Sequence, residues 1–260
     1  MNITEDNTLI AKISEALADY ESITLENLEA DHLMSRWDEK FVFHAAQLPS
    51  FLSSLTSSYK VLAVNNQKVS LYNNTYFDTP ELQSFHEHHN ENANRWKVRF
   101  RQYESSGACF LEIKRKDNRR FTTKERLQAD TQCNELNAEQ LAFLSGLIKK
   151  IQPGIQPSLI NRFTRITLVS EENRERVTLD LMIHFKSGEF EKELGGMAIA
   201  EVKQEHHYYG SAFKKLMQEK RIFPVNISKY CMGIVLTHPG IRHNRFKPKL
   251  NKLNKIYALH

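Results

Sequence analysis

The chain has 260 residues, of which 40% are hydrophobic and 26% are charged, a composition that excludes a disordered chain and is typical of a globular protein. Its formal net charge of +5 favours polyanionic partners such as nucleotides, nucleic acid or polyphosphate. The three widely spaced cysteines, Cys109, Cys133 and Cys231, argue against a disulfide framework, and no stretch approaches the roughly 18 apolar residues of a membrane span, so we expect a cytoplasmic protein with reduced thiols.

Helical and strand-like segments alternate in the first half of the chain. We expect a helical N-terminal extension over residues 1–30, because apolar residues such as Ile13 and Leu17 recur at helical spacing. The segments that follow are predicted as a strand over 37–43, a helix over 49–55, two strand-like runs within 61–77 and a short helix that opens at Thr79-Pro80.

Hairpins dominate the chain from residue 97 onward. The predicted elements are a hairpin of strands 97–103 and 108–116, a helix capped by Asn137, a hairpin of strands 158–169 and 176–185, a strand over 197–203, a helix over 211–220, a mixed segment over 229–236 and a basic tail from 242. Hairpin after hairpin with helices inserted predicts an α+β fold built on an antiparallel sheet.

Five of these segments place charged residues at every second position, with apolar residues between them. They are residues 97–101, 111–116, 163–165, 174–181 and 200–203. Because side chains alternate between the faces of a strand, each segment has one charged face and one largely apolar face. If the apolar faces pack outward under helices, the charged faces line a shared interior. We therefore predict an antiparallel barrel of about eight strands with helices outside and a wet, basic tunnel inside, since buried ions must be solvated or paired.

The ordered set of motifs along the chain resembles a known family. The segments that carry the resemblance are 33–41, 76–80, 94–101, 110–116, Lys124 with Arg126, 163–165, 174–180, 200–203, 228–233 and 244–248. Together they are similar to the VTC domain, the polyphosphate polymerase branch of the triphosphate tunnel metalloenzymes, in its stand-alone bacterial form. The expected organisation is an N-terminal extension over 1–30, a tunnel domain over 31–248 and a basic tail over 249–260.

The resemblance implies a function and a set of tunnel residues. The implied reaction transfers the γ-phosphate of ATP to the end of a growing polyphosphate chain and releases ADP. The cations implied to contact phosphate are Lys40, Arg99, Arg101, Lys114, Lys124, Arg165, Arg176, Lys203 and Lys229, and further substrate contacts are Arg36, Lys97, Lys116, Arg126 and Tyr76. Arginine suits such a site because its planar fork binds phosphate oxygens bidentately and keeps its charge.

The acidic residues of the same strand faces are candidates for a metal site. Glu201 shares a strand face with Lys203 and is the expected ligand of Mn²⁺ or Mg²⁺, ions that commonly take one or two carboxylates together with substrate phosphates. Asp38, Glu112 and Asp180 also fall on the inward face. They either bind metal or hold neighbouring cations in place.

Several alternatives stay open at this level. A single alternating charged strand is ordinarily a solvated sheet face. The same cations and metal would serve a triphosphatase that transfers phosphate to water, or a module that binds polyphosphate without catalysis. A nucleic-acid binder fits less well, because aromatic residues do not interleave with the cations in an exposed stacking arrangement. The histidines around Glu87 do not form the His-Glu-x-x-His metal motif. The oligomeric state is open.

Overall fold

One sheet of eleven strands forms the centre of the molecule. The computed structural model describes residues 3–29, 37–118, 122–148, 154–204 and 210–257. The strands are β1 (Ser22–Ile23), β2 (Trp37–His44), β3 (Lys60–Leu62), β4 (Ser70–Asp78), β5 (Arg95–Tyr103), β6 (Cys109–Lys116), β7 (Thr122–Ala129), β8 (Gln156–Ser170), β9 (Glu175–Ser187), β10 (Phe190–Leu194) and β11 (Met197–Gln204). The helices are α1 (Ile3–Ala18), α2 (Leu25–Glu29), α3 (Leu48–Leu55), α4 (Gln83–His89), α5 (Ala138–Leu147), α6 (Ala212–Glu219), α7 (Lys229–Thr237) and α8 (Lys247–Tyr257).

The main path of the sheet runs β2-β11-β9-β8-β4-β5-β6-β7, and every neighbouring pair along it is antiparallel. The α+β class is therefore confirmed. The closed barrel of about eight strands is not confirmed, because the sheet has eleven strands and, within the described residues, its end strands β2 and β7 do not pair with each other. The side chains of β7 are mostly exposed, so little apolar burial favours closing the sheet there.

The apolar face of one half of the sheet is covered by α1, α3 and α6. Val177, Leu179 and Val202 on the strands are buried against Ile13 of α1 and Phe213 of α6. Burying a side chain of this size contributes about 1.5–3 kcal/mol. This packing leaves the opposite face of the same strands turned inward.

The other half of the sheet is covered by α5 in the same way. Val98 and Leu111 pack with Leu144 of this helix in a second apolar cluster. The predicted cap at Asn137 is confirmed, since its side chain accepts from the backbone N–H of Gln140 and the Gln140 side chain accepts from the backbone N–H of Asn137. The two outer clusters together give the sheet an apolar convex face.

The inner side of the sheet is filled at one end by α7. Tyr230 and Ile234 of this helix are buried with Leu159 and Phe185 of the sheet. Gly233 permits the close approach, because a Cβ there would lie 2.4 Å from Cδ2 of Leu159 and 2.6 Å from Cδ1 of Phe185. The sequence predicts only a mixed segment here, because its apolar residues surround the helix instead of marking one side.

The C-terminal segment also differs from its sequence prediction. A solvated basic tail is expected from its lysines, whereas the structure has the helix α8, whose Leu253 is buried in the same cluster as Tyr230. Apolar residues between the lysines give this helix a side that packs on the sheet. Within the described residues, no helix combines the length and the apolar character needed to cross a membrane.

Candidate functional site

The inner, charged face of the sheet, here called the concave face, gathers the predicted cations. The side chains that share this face are Lys40, Lys97, Arg99, Arg101, Lys114, Lys124, Arg165, Arg176 and Lys203, joined by Lys229 from the first turn of α7. Strand register explains the gathering, because Lys97 pairs with Lys114 and Lys114 with Lys124 across neighbouring strands. Burial lowers the pKa of Lys114 on β6, with a smaller lowering by Lys40 on β2, while Glu201 on β11 opposes the shift, so charges from both ends of the strand order act on one another.

Asp180 on β9 holds two cations from different elements. It accepts from Nε and Nη2 of Arg165 at 2.6 and 2.7 Å and from Nζ of Lys229. Burial raises the pKa of this carboxyl, but Arg165 and Lys229 lower it more, so the pKa lies below its ordinary value. Both carboxylate oxygens are occupied. Asp180 therefore positions Arg165 and Lys229 on the concave face.

Glu112 on β6 holds a second group of cations. Its Oε2 accepts from Nε and Nη2 of Arg99 at 2.9 and 2.6 Å, and Oε1 lies 2.5 Å from Nζ of Lys124. Arg101 approaches the same carboxylate at 3.8 Å. Burial raises the pKa of Glu112, yet Arg99, Arg101 and Lys124 lower it well below its usual range. This carboxylate counteracts the mutual repulsion of three cations.

Glu201 on β11 is held more loosely. Its two oxygens lie 3.2 Å from Nζ of Lys40 and 3.2 Å from Nζ of Lys203. Its side chain is 18% exposed, against 2% for Asp180. Burial raises the pKa of Glu201, but Lys203, Lys40 and Arg165 bring it well below its ordinary value, so the carboxylate stays ionised. A metal ion that enters the concave face can therefore replace these lysines as the partner of Glu201 more readily than it can replace Arg165 as the partner of Asp180. A phosphate group can likewise replace Glu201 as the partner of the two lysines.

Burial makes the lysines of this face weaker bases. It lowers the pKa of Lys203 to about 8, with further lowering by Arg176 and Arg165, while Glu201 opposes the shift. The pKa values of Lys97 and Lys229 are also lowered, mainly by burial. An excess of positive charge in a poorly solvated space produces this pattern, and a bound polyanion would relieve it.

Aromatic side chains support the arginines. The hydroxyl of Tyr76 accepts from Nη1 of Arg99 at 3.2 Å, and the guanidinium of Arg165 lies 4.8 Å from the ring centre of Tyr72. Burial raises the pKa of Tyr76, but Arg99 and Arg101 lower it more, leaving a net decrease. Tyr76 therefore lies on the concave face as well as in the core.

Two polar contacts of the site escape sequence reasoning. Asn74 is fully buried, and its Oδ1 accepts from Nε of Arg101 at 3.0 Å. Ser228, which caps α7, accepts from Nζ of Lys97 at 2.9 Å. The alternation of Asn74 with Tyr76 along β4 is a signal for the first. Nothing local marks the second, because it depends on where α7 lies.

Four predicted site residues lie elsewhere or differ in setting. Arg36 falls outside the described residues. Asp38 is on the concave face but exposed, and Lys116 pairs with Arg95 at one end of β5 and β6. Arg126, exposed on β7, lies 4.8 Å from the ring centre of Phe110. Of these, Asp38, Lys116 and Arg126 lie around the central group of cations.

A model of the VTC domain family matches residues 35–238, most of the chain. No protein in a search of curated sequences matches.

The solved structures similar to this chain share little sequence with it. One from Vibrio parahaemolyticus, described as a candidate adenylate cyclase, is 13% identical, covers 76% of this chain and 99% of its own, and has a TM-score of 0.46. One from Hippeastrum, described as a candidate adenylyl cyclase with a dominant triphosphatase activity, is 15% identical, covers 81% and 100%, and has a TM-score of 0.45. The Pct1 RNA triphosphatase of S. pombe is 12% identical, covers 91% and 93%, and has a TM-score of 0.31.

Proposed function

The chain belongs to the VTC domain family, and on that premise we propose that it is a metal-dependent polyphosphate polymerase that transfers the γ-phosphate of ATP to the end of an inorganic polyphosphate chain. The observation that carries the proposal is the concave face, where ten cations surround the buried or nearly buried carboxylates Asp180, Glu112 and Glu201. Its positive charge exceeds what those carboxylates neutralise, and a polyanion supplies the missing negative charge.

Phosphoryl transfer depends more on the positioning of the reactants than on covalent bonds between substrate and protein. Phosphoryl transfer spreads negative charge over the oxygens of the transferred group, and fixed cations stabilise that charge without reorganising. Arg99 and Arg165 offer rigid forks, each held by a buried carboxylate. Lys203 and Lys229 supply compact charges beside these arginines.

The length of the cationic rows favours a polymer over a single nucleotide. Arg101, Arg99, Lys97 and Arg95 occupy alternate positions of β5. With two residues per step, this row spans about 20 Å. That length exceeds the phosphate tail of one nucleoside triphosphate, so the same face has room for ATP and for the end of a polyphosphate chain.

The residues of the concave face fit a divalent cation whose ligands are one protein carboxylate and several phosphate oxygens of the substrate. Glu201 offers an ionised carboxylate with long contacts to two exchangeable lysines. Within the described residues, no three His, Cys, Asp or Glu side chains cluster to enclose a metal, so the fit is to one carboxylate with phosphate oxygens as the other ligands. When bound, Mn²⁺ or Mg²⁺ would neutralise charge on the phosphate oxygens. Asp180 and Glu112 are already saturated by cations and serve as positioning residues.

The test follows ADP, free phosphate and acid-labile polymer together after the purified chain is incubated with ATP and Mn²⁺. Polymer and ADP in step, with little free phosphate, is the expected result. Free phosphate without polymer would instead identify a triphosphatase, and binding of polyphosphate without turnover would identify a binding module. Either result overturns the polymerase.

A matched pair of lysine variants connects the activity to the concave face. Lys203→Gln should lower kcat/KM by about a hundredfold, as expected for removing one fixed charge from the reacting phosphate. Lys186→Gln, an equal charge change at an exposed position, should leave it unchanged. Equal effects of the two variants would refute the site.

A further inference from the structure

A second basic cavity lies at one end of the concave face. Its volume is about 480 Å³, and it is bounded by α4, by the ends of β5 and β6, and by the segment that leads into α8. Four cations line it, Arg95, Lys116, Arg245 and Lys249. We call this cavity the end pocket.

The end pocket continues the rows of cations on the sheet. Arg95 is two residues from Lys97 on β5, so the two side chains share a face, and Arg95 pairs in register with Lys116. Both Lys97 and Lys116 lower the pKa of His88, whose ring lines the pocket. The row of cations on the concave face therefore continues into the end pocket.

Two carboxylates, Asp117 and Glu91, line the end pocket together with its four cations, so the lining keeps a formal excess of two positive charges. Glu91 is 77% exposed and lies 3.9 Å from Arg245, at the rim. His88 is held neutral, because burial and the surrounding cations lower its pKa to about 2. Its Nδ1 is buried and has no hydrogen-bond partner in the described residues. Four cations against two carboxylates thus point to an anionic ligand.

We propose that the end pocket binds the part of a polyphosphate chain that extends beyond the concave face, so that it discriminates long chains from short ones. The proposal rests on the proposed function only for the identity of the polymer. The two cations of the pocket that lie outside the sheet are Arg245, in the segment that leads into α8, and Lys249, in the first turn of α8. Packing of Phe246 against His89 of α4 holds that segment over the pocket.

The experiment measures binding without turnover, in the absence of ATP and metal. Isothermal titration calorimetry compares long-chain polyphosphate with tripolyphosphate on the full chain and on the double variant Arg245→Gln/Lys249→Gln. The double variant should bind long-chain polyphosphate about tenfold more weakly, the effect of two partly exposed charges. Its affinity for tripolyphosphate should match that of the unchanged protein.

Two further variants complete the design. Lys186→Gln/Lys215→Gln makes the same charge change at exposed positions away from the pocket and should alter neither affinity. Ala93→Glu adds a negative charge at an exposed position in the pocket lining and should weaken binding of the long chain alone. Thermal melting establishes that each variant is folded.

The outcomes separate this proposal from the polymerase. Undiminished affinity of the double variant for the long chain overturns the end pocket, and so does an equal loss for both ligands. A protein that makes no polymer yet shows the selective loss contradicts the proposed activity and supports the pocket.

Discussion

Buried carboxylates on the two faces of the sheet have pKa values that are shifted in opposite directions. On β9, Asp180 lies on the concave face between Arg165 and Lys229, which bring its pKa below the ordinary value. Glu175 of the same strand lies on the other face, where it accepts from the hydroxyls of Tyr59 and Ser211 and burial raises its pKa. The strand is the same, so the surroundings decide the direction in which the pKa of each carboxyl is shifted.

A second difference separates two carboxylates within the concave face. Asp180 uses both oxygens in short contacts to a guanidinium and an ammonium group, whereas Glu201 has two lysines at 3.2 Å and greater exposure. A saturated carboxylate holds cations in position, and a loosely held one can exchange partners. Asp180 is therefore the expected positioning residue and Glu201 the proposed metal ligand, and each role can be tested.

The largest expected effect belongs to Asp180→Asn. Removing this charge leaves Arg165 and Lys229 buried without their partner, and breaking such a group costs about 3–5 kcal/mol. Urea unfolding measures the loss of free energy of unfolding. Asp38→Asn, at an exposed position of the same face, is the control and should stay within about 0.5 kcal/mol. A cost below that of an ordinary surface substitution would contradict the positioning role of Asp180.

Glu201→Gln should separate activity from stability. Two lysines that reach partial solvent can rehydrate, so the free energy of unfolding should fall less than in Asp180→Asn. Metal-dependent turnover should fall at least about a hundredfold. Binding of Mn²⁺, followed by electron paramagnetic resonance with polyphosphate present, should weaken as well.

The control for Glu201→Gln is the same substitution at Glu125, an exposed residue on the outward side of β7. Turnover and Mn²⁺ binding should be unchanged there. Retention of full activity in Glu201→Gln would show that this carboxylate is another tether like Asp180.

The smallest expected effect is a difference in pH dependence between the two faces. The pKa of Glu175 is raised above its ordinary value of 4.5, mainly by burial, so its stabilising contribution is complete below that value and is lost as pH rises through the raised pKa. Glu175→Gln should therefore gain stability relative to the unchanged protein as pH rises. For Asp180, whose pKa is lowered, the contribution is lost as pH falls, so the deficit of Asp180→Asn should shrink in acid.

Unfolding free energies at about pH 5 and about pH 8 measure the difference for Glu175, and a lower pair of pH values measures that for Asp180. The two variants should show slopes of opposite sign. Slopes of the same sign would remove the contrast between the two faces.

Sequence reasoning succeeded where a pattern is local. The alternation in residues 97–101 correctly separates Arg99 and Arg101 from Val98, and the cap at Asn137 is confirmed. It was least informative for α7 and α8. In α7 apolar residues surround most of the helix. In α8 the many lysines mask, in the sequence, the apolar side on which Leu253 is buried. Neither pattern has a clear period to reveal which partner a helix will find.

The roles of the acidic residues illustrate a different limit. The alternation of side chains along the strands places four acidic residues on one face and does not distinguish between them. They are Asp38, Glu112, Asp180 and Glu201. Contacts distinguish them, because Lys124 of the neighbouring strand β7 contacts Glu112, and Lys229, 49 residues from Asp180 in sequence, contacts Asp180. The residues that bind metal therefore stay a proposal, with Glu201 favoured.

The sequence by itself determined the family, the antiparallel hairpins and the two-sided character of the strands, because a period of two residues follows from the geometry of each strand alone. The tertiary structure decided how far the sheet curves, which end α7 fills, where α8 packs and which carboxylates are saturated. These features depend on contacts between residues far apart in the chain, whose free energies of burial and pairing no local pattern records.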